Sequence, residues 1–130
     1  MILAAYDKHR ALVEGVYPDL LAADKIYTLD HNLRFTEAVQ GIDNGQAVQL
    51  YAPNLVGDEG GFTVWEASVD VLASSVDGAL HLADPLTTVL QGDLRRPGPR
   101  PTRVTISSGS DWGLVRVTYR FRLRPQPKGD

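Results

Sequence analysis

Along Leu114–Arg124 apolar residues alternate with polar, mostly basic ones, regularly from Val115 onward. Val115, Val117, Tyr119, Phe121 and Leu123 share one parity, while Arg116, Thr118, Arg120, Arg122 and Arg124 share the other. Successive side chains of a strand point to opposite faces, so this spacing predicts a half-buried strand with an arginine row on its second face. Phe62–Ala73 shows the same period. Trp65, Ala67, Val69 and Val71 form its apolar row, with Trp65 in the core, and Glu66, Ser68 and Asp70 form its polar row. At the other end of the chain the period changes. With His9 counted as semi-apolar, apolar residues recur at 2, 5, 6, 9, 12, 13 and 16, which predicts an amphipathic helix over Ile2–Glu14. Gly15 reads as its C′ residue, and Pro18 stops continuation.

The intervening pattern is weaker. Asp19–Ala23 reads as a short helical turn and Ile26–Leu29 as a brief β-like run. Leu33–Gln40 and Gln46–Ala52, separated by Ile42-Asp43-Asn44-Gly45, suggest a hairpin. Pro53–Gly61 is rich in Gly, Asn and Asp and reads as a flexible loop. Asp77-Gly78 is a turn signal. Asp84-Pro85 is a helix start, with Asp as N-cap and Pro at the first helical position. That helix runs to about Leu90, stops at Gly92 and buries Leu86, Val89 and Leu90; helix and strand both remain open for Ala79–Ala83. Arg95–Pro101 is a proline-rich connector that excludes a helix or a central strand. Thr102–Ser108 is a strand with Val104 and Ile106 inward, joined through a Ser108–Gly113 loop to the Leu114–Arg124 strand as an antiparallel hairpin. The order predicts an α+β fold, one antiparallel sheet packed on its apolar face by one or two helices. The domain spans 1–124, and 125–130 form a flexible C-terminal tail.

At 130 residues the chain is long enough for one domain with its own core. It has no cysteine, which removes disulfides, thiolate metal sites and cysteine nucleophiles. Its apolar runs are too short to span a membrane, and residues 1–5 do not open a signal peptide, so a soluble cytosolic product is expected. Net charge is only −3, but unevenly spread. Residues 61–94 hold five acids and no Lys or Arg, whereas 95–130 hold nine bases and two acids. Such segregation points to electrostatic pairing within the fold or between subunits.

Three readings of the arginine row follow. It pairs across the sheet with Glu66 and Asp70, at roughly 0.2–1 kcal/mol per pair; it meets an acidic surface of another subunit; or it meets nucleic acid. The acidic net charge and the inward parity of Tyr119 and Phe121 speak against the last. No enzyme signature emerges. His9, His31 and His81 form no metal-binding pair at helical spacing, and His9 and His81 read as partly buried or surface residues. Glu66 and Asp70 are roughly 13 Å apart along a strand, too far for a carboxylate dyad. The Ser107–Asp111 loop lacks a P-loop lysine, and the acidic Gly57–Gly61 loop lacks calcium-ligand spacing. Trp112, set in a hairpin loop, folds back over the sheet end or anchors an interface.

The whole element order resembles that of the tailed-bacteriophage tail-terminator (tail-completion) proteins. The resemblance is most specific in the closing hairpin Val104–Leu123, a serine-glycine, acidic, tryptophan segment followed by an alternating strand. It implies a small α+β structural subunit, not an enzyme, forming a ring (a hexamer expected) that caps the tail tube and joins it to the head connector. Its implied partners are other copies of itself, the tail tube protein and the head–tail connector or stopper protein. It implies no membrane, sequence-specific nucleic acid, cofactor or metal, and a place in the virion tail or neck after synthesis in the host cytoplasm.

Charge-segregated surfaces suit head-to-tail contacts that close a ring. The expected interface residues are therefore Arg116, Arg120, Arg122, Arg124, Glu66 and Asp70, with Trp112, Asp58 and Glu59 as further interface pieces. Another neck or connector protein is the nearest alternative. A small cytosolic ligand-binding domain or enzyme, with a pocket around His31 or His81, is a more distant one.

Overall fold

The computed structural model describes residues 1–29, 46–91, 100–108 and 113–124, without the side chains of Gln91 and of 100–108. Helices α1 (Ile2–Val16) and α2 (Pro18–Ala22) lead into strands β1 (Ile26–Tyr27), β2 (Ala47–Leu50), β3 (Asn54–Glu59) and β4 (Phe62–Ala73). Helix α3 (Val76–Gln91) and the hairpin of β5 (Arg100–Ser108) and β6 (Gly113–Leu123) complete the fold. The class is α+β, as the periodicities predict. The strands form one sheet in the order β1-β2-β4-β6-β5, and β3 also pairs with β4. All pairings are antiparallel except β1 with β2, which is parallel.

Strand β4 organises the sheet. Its length lies against β6, from Thr63↔Leu123 to Ala73↔Gly113. On its other side β2 pairs with Val69–Leu72 and β3 with Phe62–Glu66, so β2 and β3 follow one another along the same edge. The apolar rows of β4 and β6 meet α1 and α3 on a single face. There Ala5 and Val13 of α1 and Ala79, Ala83, Leu86 and Leu90 of α3 join Trp65, Val69, Val71, Val115, Val117, Tyr119 and Phe121 in one core.

Several sequence expectations are corrected. Gly15 lies inside α1, which runs on to Val16, and the C-cap is Tyr17. Residues 54–59 are strand β3, not part of a flexible loop; only Gly60 and Gly61 turn the chain. Both take positive φ, +57° and +83°, the left-handed backbone that primed two-residue hairpin turns demand. The one-sided ladder to β4 holds β3 extended despite its poor strand propensity, an override by tertiary context.

Asp77-Gly78 is not a turn, and Asp84-Pro85 does not begin a helix. Helix α3 starts at Val76, includes 79–83 and carries Pro85 in its interior. The buried positions 79, 83, 86 and 90 follow helical spacing straight past Pro85, so one apolar stripe spans both halves. Ser75 caps this start, its Oγ accepting the Gly78 N–H at 3.0 Å. Val89, expected in the core, is exposed.

Arg100 and Pro101 belong to β5, at the rim of the sheet where proline is tolerated. Strand β6 lies between β4 and β5. Among the described residues no helix is long and apolar enough to cross a membrane. The proposed Leu33–Gln40 strand and its turn, the rest of the 95–101 connector, Trp112, His31 and the 125–130 tail lie outside the described residues.

Candidate functional site

The face of the sheet turned away from the helices carries the arginine row, and register decides what it meets. Asp70 stands directly opposite Arg116, Ser68 opposite Thr118, and Glu66 opposite Arg120. Arg116 donates from Nε to Asp70 Oδ1 at 2.7 Å and from Nη2 to Oδ2 at 3.0 Å. The Tyr51 hydroxyl donates to the same Oδ2 at 2.6 Å. The guanidinium of Arg116 also lies over the Tyr51 ring, 5.4 Å from its centroid. The Asp70 side chain is only 3% exposed and that of Arg116 is 48% exposed, so the acid is sunk in the sheet and the base covers it. Burial, with the adjoining carboxylate, pushes the Tyr51 hydroxyl up to about 12. Hydrogen bonding to Asp70 raises the Arg116 pKa further, keeping it fully charged.

The remaining pairs are looser. Arg120 Nε donates to Glu66 Oε2 at 3.1 Å, and Arg122 Nη2 to Glu59 Oε1 at 2.7 Å, between side chains that are well exposed except for the half-buried Glu66. Arg124 reaches over the Phe62 ring, 5.7 Å from its centroid. Between the two β4 acids, the Ser68 and Thr118 hydroxyls hydrogen-bond at 2.9 Å.

Glu66, Asp70, Arg116, Arg120, Arg122 and Glu59 therefore come together within one chain. Of the three readings, pairing across the sheet is the one seen, and these charges need no acidic neighbour to balance them. Asp58 and Glu59 are exposed on β3 rather than in a loop.

The helix-covered face holds the polar cluster that sequence periodicity hides. His9, taken as semi-apolar on α1, is fully buried. Its Nε2 lies 3.2 Å from the Ser68 carbonyl oxygen, which can only accept, so Nε2 carries the proton. Nδ1 then accepts the Tyr119 hydroxyl proton at 2.7 Å. Burial lowers the His9 pKa to about 4. The bonds bind α1 to β4 and β6 together, and the spacing of His9 with Ala5 and Val13 on one helical face was the available signal. Tyr17 makes a related tie, its hydroxyl donating to the Leu82 carbonyl of α3.

His81 is exposed on α3 and pairs with Asp77 one turn earlier. Among the described residues no group of three His, Cys, Asp or Glu side chains could hold a metal ion.

A different surface stands out at the rim. Strand β3 pairs with β4 on one side, and among the described residues no strand pairs its other side. Leu55 is 60% exposed and Val56 45%, beside the acids Asp58 and Glu59. Comparison with protein-family models gives no match, and comparison with curated proteins gives none.

Proposed function

We propose that this chain is a structural subunit of a tailed-phage tail or neck, a tail terminator whose copies close a ring on the tail tube and join it to the head connector. The β3 edge, unpaired among the described residues and carrying exposed Leu55 and Val56, supports the assembly part of this reading. Such an edge, with two exposed apolar residues and no lysine, arginine or proline within 54–59, suits another polypeptide. The placement at the tail rests on the resemblance of the β5–β6 hairpin and the element order. With Arg116, Arg120 and Arg122 paired within the chain, the contact surface of this reading is the rim of the sheet.

Electron microscopy of tail tubes incubated with the purified chain tests the proposal. Rings on one tube end, with native mass giving a closed oligomer, are the expected outcome. Binding instead to the head-side connector in the absence of tubes would favour the other neck position. A chain that binds neither, alone or with tubes, would overturn it.

A further inference from the structure

We propose that β3 takes β5 of a second copy, edge to edge and antiparallel, so that the sheets of neighbouring subunits run into one another head to tail. The inference deepens the ring reading and rests on it for the claim that such contacts close. Strand β5 pairs with β6 on one side, and no strand among the described residues pairs its other side. Among the described residues β3 and β5 are thus each unpaired on one side, as is the two-residue β1, and β3 and β5 differ in charge. Strand β3 contains Asp58 and Glu59 and no base, while β5 contains Arg100 and Arg103 and no acid. Glu59 is already held by Arg122, so the contrast lies in Asp58: a β3–β3 contact would set acidic strands together, whereas β5 offers Asp58 a basic strand.

Direction agrees. Because β3, β4, β6 and β5 alternate in direction across the sheet, β3 and β5 run opposite ways. A copy set alongside in the same orientation therefore offers β5 antiparallel to β3. Asn54, Glu66, Arg120 and Arg100 share one row, from which β3 extends one way and β5 the other. Pairing the edges must slide each subunit along its neighbour's strands, the stagger that a sheet closing on itself requires. Each edge also has one register break, between Leu55 and Gly57 and between Pro101 and Arg103, which restricts the strands able to match it.

The absence of cysteine makes the test clean. Asn54→Cys on β3 is mixed with a second chain carrying either Thr105→Cys or Ser107→Cys on β5. All three positions belong to rows of the polar face, opposite Glu66, Arg116 and Leu114 respectively. Within one chain β4 and β6 separate β3 from β5 by roughly 14 Å, beyond disulfide reach. On mild oxidation one of these mixtures should form mixed disulfide roughly tenfold faster than Asn54→Cys mixed with Thr88→Cys on exposed α3. A rate no better than that control overturns the proposal. So does a dominant disulfide between two Asn54→Cys chains, which would mean a two-fold β3–β3 contact. Rings on tail tubes with no mixed disulfide above control would remove the edge pairing and leave the proposed function. Mixed disulfide without any binding to tubes would do the reverse.

Discussion

The hydroxyl of Tyr119 on β6 and the Nδ1 of His9 on α1 meet at 2.7 Å in the core, with His9 neutral. Acid should therefore loosen the fold. The unfolded chain takes up a proton at the usual histidine value of 6.5, whereas folded His9 resists until about 4. Stability from this group is full above pH 6.5 and is lost as pH falls towards 4, about 3 kcal/mol over the window. Urea unfolding at stepped pH measures it. His9→Leu should flatten the curve there while lowering stability at pH 7 by about 1–3 kcal/mol, because Tyr119 loses its acceptor.

The Asp70–Arg116 pair should respond unequally to its two truncations. Arg116→Ala strands a carboxylate that is 3% exposed and should cost about 3–5 kcal/mol. Asp70→Ala leaves an arginine that can turn to water, and should cost less. Chemical denaturation of both single variants and the double variant gives the coupling. Arg120→Ala and Arg122→Ala, at exposed pairs, should each cost under about 1 kcal/mol.

Two glycine substitutions should move stability in opposite directions. A Cβ on Gly113 would stand 2.5 Å from backbone atoms of Ser75 and Val76, so Gly113→Ala should push β6 from the start of α3. The expected loss is about 1–3 kcal/mol or somewhat more. Gly15 lies within α1 with nothing inside 4 Å of such a Cβ, and Gly15→Ala should gain up to about 1 kcal/mol. Thermal melts of the two variants check both signs.

Pro85 interrupts the hydrogen-bond ladder of α3 without breaking its buried stripe. Pro85→Ala restores a backbone donor on the exposed side and should raise stability, by up to about 3 kcal/mol. A lower melting temperature for this variant would mean that the proline bend is required to seat Leu86 and Leu90.

Strict alternation made β4 legible to the residue and β6 to within one at either end. It also placed Glu66 and Asp70 on the face that meets Arg120 and Arg116. Where the pattern competed with strong local signals it misled. Pro85 after Asp84 looks like a helix start, yet Ser75 caps the helix and the spacing of Ala79, Ala83, Leu86 and Leu90 carries it through. Glycines at 57, 60 and 61 suggested a loop, because β3 owes its form to a neighbour and not to its own composition. The His9 site was hidden for a related reason: its partners, Ser68 and Tyr119, are distant in sequence and converge only when the sheet forms.

That distance has a consequence for how the chain is made. Strand β4 leaves the ribosome with its β2 and β3 partners already present, but the strand that covers its other side lies some fifty positions later. Until β6 emerges, Asp70 has no guanidinium and half of the central ladder is bare. A chain cut before residue 113 should therefore be an aggregating fragment rather than a smaller domain. The acids of β4 thus wait for the arginines of β6, and the polar face of the sheet is neutralised only after that later strand has been made.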